Sequence, residues 1–120
     1  MNGIVDSFGR ALIRVKLRNP DTGASLDINA WIDTGFTSEL VVPRQQIAML
    51  ALPEGPSVTA TIADGSEIQF VTYSSQMEWF DEWKSVEVVA NDGQFPLLGV
   101  GLLMRRRLHI DYEQKTLSIN

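Results

Sequence analysis

The sequence contains no cysteine. A disulfide framework and a thiolate zinc site are both excluded, and nothing ties the chain to an oxidising compartment. Histidine is almost as scarce: the one present, His109, sits alone in an apolar-polar segment. With no second histidine or any thiol beside it, neither a metal centre nor a serine–histidine nucleophile has support. Positive charge is in short supply as well, with 10 lysines and arginines against 15 acids and a net charge of −5. Non-specific nucleic-acid binding and attraction to an anionic membrane both need a basic surface, so neither is expected. Long apolar runs are missing too. No stretch approaches the roughly 20 apolar residues of a membrane-spanning helix, and the opening residues lack the basic region and apolar run of a signal peptide. The expectation is a soluble protein of the cytoplasm.

What remains is the balance of an ordinary globular domain. The 120 residues are 44% hydrophobic and 21% charged, enough for one modest core, so residues 1–120 read as a single domain. Short alternating segments dominate the first third. Ile13, Val15 and Leu17 interleave with Arg14 and Lys16, and Leu26, Ile28, Ala30 and Ile32 interleave with Asp27, Asn29 and Trp31. Period-two alternation marks half-buried strands, and Asn19-Pro20-Asp21-Thr22-Gly23 between them carries residues that set or tolerate turn dihedrals. A hairpin is predicted.

Leu40-Val41-Val42 then reads as a short strand, and Pro43 as the opening of a helix through Leu50. Val58, Ala60 and Ile62 alternate up to Ala63-Asp64-Gly65-Ser66, and Ile68, Phe70 and Tyr73 continue beyond it. This is the Asp-Gly pattern of a tight, projecting hairpin. Val86 and Val88 mark a further strand, Asn91-Asp92-Gly93 a turn, and Phe95 to Leu98 an apolar run ending at Gly99. Val100 to Arg106 is predicted helical, with Arg105, Arg106 and Arg107 near its C-terminus where positive charge complements the dipole. Leu108-His109-Ile110 and Thr116 to Ile119 form a closing hairpin. In Met77-Glu78-Trp79-Phe80-Asp81-Glu82-Trp83, aromatics mix with acids; a strand turn with one face in the core accounts for it. The fold class is mainly β, a small barrel or sandwich with one or two short helices.

Two Asp-Thr-Gly tripeptides occur, at 21–23 and 33–35. Asp21 follows Asn19-Pro20 at a polar loop tip, where an ordinary hairpin turn explains it. Asp33 is placed differently. It ends the apolar-rich strand Ile28 to Ile32 and precedes another apolar strand, and a charge set in apolar surroundings is costly unless it has a task. The two motifs do not make one site: a hairpin strand of six to eight residues, at about 3.3 Å per residue, puts the loop tip on the order of 20 Å from Asp33. A carboxylate pair therefore needs Asp33 of a second copy, met across a two-fold axis.

Three blocks resemble the retropepsin-like aspartic peptidases, including their bacterial single-domain members. They are Ala30-Trp31-Ile32-Asp33-Thr34-Gly35-Phe36-Thr37-Ser38, at the place of the catalytic loop; the Asp64-Gly65 hairpin, at the place of the flap; and Pro96-Leu97-Leu98-Gly99-Val100-Gly101-Leu102-Leu103, similar to the apolar-apolar-Gly element beneath that loop. His109 to Tyr112 and Lys115 to Ile119 match the usual closing hairpin. The resemblance runs from about residue 10 to residue 120 in the same order.

The resemblance implies a retropepsin-like closed β-barrel, the acid-protease fold, and a homodimer that hydrolyses peptide bonds. It makes Asp33, Thr34 and Gly35 catalytic: two Asp33 carboxylates share a proton and hold a water, Thr34 bonds across the dimer axis, and Gly35 lets the backbone approach the carboxylate. Ala63, Asp64, Gly65 and Ser66 become the flap that closes on an extended peptide, and Leu98 and Gly99 support the catalytic loop. Peptide or protein is the substrate, and no metal or cofactor is implied.

Some positions depart from the commoner family pattern. Phe36 stands where a small residue is more usual, Gly101 where an acid often follows, and the hairpin tip has a single glycine. They motivate an alternative reading, a catalytically silent retropepsin-like module for dimerisation or peptide binding. A third reading, a structural β-domain with an incidental Asp33, predicts a strict monomer.

Overall fold

The computed structural model describes residues 1–61 and 64–120. Its first element, β1 (Asn2–Val5), is followed by the predicted hairpin of β2 (Ala11–Arg18) and β3 (Ser25–Ile32). Val15 faces Ile28 across the pair, so alternation on both strands turns Ile13, Val15, Leu17, Ile28 and Ala30 to one buried face. A short β4 (Leu40–Pro43) runs into α1 (Arg44–Leu50), with Pro43 at the N-cap.

The long hairpins come next: β5 (Glu54–Thr61), β6 (Glu67–Trp79) and β7 (Glu82–Asn91). Residues 77–83 are a hairpin turn, as expected: Met77 and Trp79 are buried, and Phe80 and Asp81 make a two-residue turn with positive φ. The chain closes with β8 (Leu97–Leu98), α2 (Val100–Leu103), β9 (Leu108–Asp111) and β10 (Thr116–Ile119).

One prediction needs correction. The helix after Gly99 stops at Leu103 instead of reaching Arg106, and it has no basic residue in its last turn. Met104 turns extended at φ −59, ψ 133 and Arg105 follows in the left-handed conformation at φ 64, so the helical path ends at Leu103. The three arginines therefore lie beyond α2, and Arg106 spends its guanidinium over the Phe80 ring, 3.6 Å from the centroid.

The strands form one mixed sheet in the order β5-β6-β7-β4-β8-β3-β2-β1-β10-β9, and β6 also pairs with β2. That extra pairing, Leu17 with Met77 and Arg18 with Gln76, makes β2, β3, β8, β4, β7 and β6 a circuit of paired strands. The side chains turned inward fill it: Ile13, Leu17, Leu40, Met77, Val88, Leu98 and Ile119 are each at most 1% exposed. Each such side chain stabilises the fold by about 1.5–3 kcal/mol through loss of apolar surface to water. The fold class is thus mainly β with two short helices.

The terminal strand β1 was not legible in its own residues. Only four residues long, it pairs antiparallel with β10 on one side and β2 on the other. Gly3 permits this, because a Cβ there would run into the carbonyl oxygen of Leu12.

The strand order explains how Asp33 is presented. β8 lies between β3 and β4, parallel to the first through Trp31 and Leu97 and antiparallel to the second through Leu40 and Leu98. The connection from β3 to β4, residues 33–39, therefore has to arch over the end of β8. Asp33 stands at the start of that arch.

Candidate active site

The loop 33–39 is seated by main-chain hydrogen bonds on the segment that follows β8. The Asp33 N–H donates to the Leu98 carbonyl at 2.9 Å, and the N–H groups of Gly99, Val100 and Gly101 donate to the carbonyls of Glu39, Phe36 and Ser38 at 2.8, 2.7 and 3.0 Å. Such close backbone approach requires glycine at position 99. A Cβ there would stand 2.5 Å from Phe36 Cδ2 and 2.7 Å from the Phe36 carbonyl oxygen, and would overlap the Ser38 carbonyl oxygen. Leu98 is fully buried beside it.

Asp33 itself is half-buried, and Thr34 and Gly35 are exposed. The Gly35 N–H donates to Asp33 Oδ1 at 2.9 Å, and the Phe36 N–H to the Asp33 carbonyl at 3.2 Å. The first bond orients the carboxylate, since it ties one oxygen to a main-chain donor two residues on. Among the described residues no hydrogen bond reaches Oδ2. One oxygen is thus held by the main chain, in a loop whose own backbone is committed to the segment Leu98 to Gly101.

The other Asp-Thr-Gly is a turn. Asn19 Oδ1 accepts from the N–H groups of Asp21 and Thr22 at 2.8 and 3.2 Å, and Gly23 has φ +76. Asn19 is buried, and its side-chain amide donates at 2.9 Å to both the Leu50 and Ala51 carbonyls. Those are carbonyls at the end of α1, left without helical partners. The tip of the first hairpin is thereby tied to that helix, at the far end of β3 from Asp33.

Of the hairpin residues Ala63, Asp64, Gly65 and Ser66, Ala63 lies outside the described residues. The other three are exposed. Gly65 takes φ +86, and Asp64 Oδ1 accepts from both Ser66 Oγ, at 2.6 Å, and Ser66 N, at 2.8 Å. The Ser66 hydroxyl and then its N–H hold the Asp64 carboxyl below its usual pKa. The tip is organised by its own side chains.

A group that sequence reasoning missed lies on the strand leading to Asp33. Trp31, two residues earlier and so on the same strand face, is 39% exposed and meets Phe95 edge-on at 6.1 Å. Arg10 packs its guanidinium 4.1 Å from the Phe95 ring centroid, 5.0 Å from that of Phe8 and 6.0 Å from that of Trp31. Asp6 fixes it there, Nε to Oδ2 at 2.7 Å. Partial desolvation pushes the Asp6 carboxyl up, but hydrogen bonds from Arg10 and Phe8, with the Arg10 charge, outweigh this and hold it below the usual range. The signal was diffuse, because Arg10 and Phe95 are neighbours only in space.

Glu39 was missed for the same reason. It ends the arch, and its Oε1 accepts the Glu87 N–H of β7 at 2.9 Å. Among the described residues no group of three or more His, Cys, Asp or Glu side chains is placed to hold a metal, and no helix is long and apolar enough to cross a membrane.

No protein-family model matches the sequence, nor does any curated protein sequence. Solved structures do match. A retropepsin-like aspartic protease from Rickettsia conorii superposes with a TM-score of 0.68 at 18% identity, over 100% of this chain and 89% of that one. The EIAV protease, in complex with an inhibitor, superposes with a TM-score of 0.54 at 16% identity, over 80% of this chain and 86% of that one. At such low identity the likeness is one of backbone path. The chain has the retropepsin-like fold.

Proposed function

We propose that the protein is an aspartic endopeptidase that works as a homodimer, with Asp33 of each copy supplying one carboxylate. The observation that carries this reading is the state of Asp33. It projects from an arched loop with Oδ1 held by the Gly35 N–H, within a retropepsin-like fold. One chain offers a single such carboxylate, and an isologous contact about a two-fold axis would bring its equivalent to it.

Two carboxylates in contact cannot both ionise readily, so a dyad of this kind shares one proton and titrates as a pair. The ionised Asp33 takes a proton from the water between them as its oxygen bonds to the scissile carbonyl carbon. The protonated Asp33 gives its proton to the carbonyl oxygen. This yields a neutral tetrahedral diol with no acyl-enzyme. One Asp33 then gives its proton to the amide nitrogen while the other takes a proton from a diol hydroxyl as the C–N bond breaks, releasing a carboxylic acid and an amine and returning the dyad to its shared-proton state. Thr34, exposed beside Asp33, would bond across the axis. The hairpin at residues 63–66 would close over an extended peptide and exclude water, and the exposed Trp31 would offer apolar surface to a peptide side chain. A cytoplasmic location fits a chain with no cysteine.

The test is mass-spectrometric profiling of a diverse peptide library with concentrated protein from acid to neutral pH, run beside Asp33→Asn. Cuts made by the wild type and lost in the variant support the reading. Cuts retained in the variant overturn it, and no cuts from a protein measured to be dimeric favour the silent binding module.

A further inference from the structure

Glu39 makes a hydrogen bond that the Asp33 reading does not use. The parallel ladder between β4 and β7 begins at Leu40 and Val88. One residue earlier, the Glu87 N–H points toward the loop and needs an acceptor. In a continuing strand that acceptor would be a main-chain carbonyl, but the carbonyls of Ser38 and Glu39 are already turned onto the N–H groups of Gly101 and Gly99 at 3.0 and 2.8 Å. The Glu39 carboxylate takes their place, with Oε1 2.9 Å from Glu87 N. Its stem lies against the start of α2, where a Cβ on Gly101 would come 3.2 Å from Glu39 Cγ.

We infer that Glu39 is a positioning residue for Asp33. By satisfying Glu87 with a side chain, it releases the loop's carbonyls to seat the loop on Gly99 and Gly101. The same carboxylate fastens the loop to β7. Among the described residues, no other side chain of loop 33–39 makes a hydrogen bond outside the loop. The link has a further reach. Glu87 faces Ser74 on β6, and β6 continues as one strand of the hairpin at 64–66, so one carboxylate joins the Asp33 loop to the strand that carries the hairpin tip.

The role rests on the peptidase reading, so the experiment has two arms. In the first, kcat and KM are measured for Glu39→Ala and Glu39→Gln. Gln keeps an acceptor oxygen for the Glu87 N–H and Ala does not. Misplacement of a reacting group by about 1 Å costs up to about 100-fold in rate. Glu39→Ala is therefore expected to lose about 10- to 100-fold in kcat with KM little changed, and Glu39→Gln to stay close to wild type. An Ala variant with wild-type kcat, or a Gln variant as impaired as Ala, overturns the role.

The second arm reads the amide resonances of Glu87 and Gly35, the latter reporting the bond to Asp33 Oδ1. Both should shift in Glu39→Ala and return toward wild type in Glu39→Gln. A wild type that cuts no peptide defeats the peptidase reading alone, and the amide arm still decides the brace: movement at Glu87 with none at Gly35 overturns it.

Discussion

Gly99 and Phe36 leave no room for a side chain between them: a Cβ on Gly99 would stand 2.5 Å from Phe36 Cδ2 and 2.7 Å from the Phe36 carbonyl oxygen. Gly99→Ala is therefore expected to destabilise the fold by at least the 1–3 kcal/mol typical of overpacking, read as a lower midpoint in urea unfolding. Trimming the ring with Phe36→Ala should not rescue it, since two of the blocking atoms are the main-chain oxygens of Phe36 and Ser38. Full rescue would show that the ring alone sets the spacing.

Asp33→Asn should leave the fold intact. Asn retains an oxygen that accepts the Gly35 N–H, and the site is half-exposed, so the thermal midpoint should move little. Peptide cleavage should fall by at least about 100-fold, the scale of losing a general acid or base. An unfolded variant would show instead that the carboxylate is structural.

Asn19→Ala should cost about 2 kcal/mol or more, because it strands the Leu50 and Ala51 carbonyls and removes the acceptor of two turn N–H groups. Cleavage per folded molecule should be unchanged, as the first Asp-Thr-Gly is a turn. Urea denaturation and assay at matched folded concentration check both halves.

The ordering of Asp64 and Ser66 at the hairpin tip should be pH-sensitive. Ser66 holds Asp64 ionised below its usual pKa, so the folded value is depressed relative to the unfolded one. The ordering it brings is present above the normal carboxylate range and lost as pH falls through the depressed value. An NMR titration of Asp64 should show the low value in the wild type and return to the ordinary range in Ser66→Ala. Identical titration in both would mean that Ser66 does not hold the carboxylate.

How far the sequence reads depends on how far apart the partners lie. The first and last hairpins were legible because alternation and turn residues are local, and Asp33 because a carboxylate between two apolar strands is conspicuous in one dimension. The end of α2 was misread because Leu102 to Arg106 are all acceptable helix formers, whereas in the fold Met104 turns extended at ψ 133 and Arg105 left-handed at φ 64.

By itself, then, the sequence determined the mainly-β class, the lack of thiol chemistry, the turn at Asn19 to Gly23 and the place of Asp33 directly after a strand. Each follows from composition or from neighbours within a few residues, where steric and burial preferences act directly. Only the tertiary structure decided that β1 is a strand, that Arg10 is clasped by Asp6 among Phe8, Trp31 and Phe95, and that Glu39 bonds Glu87 across 48 residues. Those arrangements depend on the circuit of strands bringing distant segments together. A hydrogen bond or ring contact of that kind has no period, so no local pattern announces it before the chain is folded.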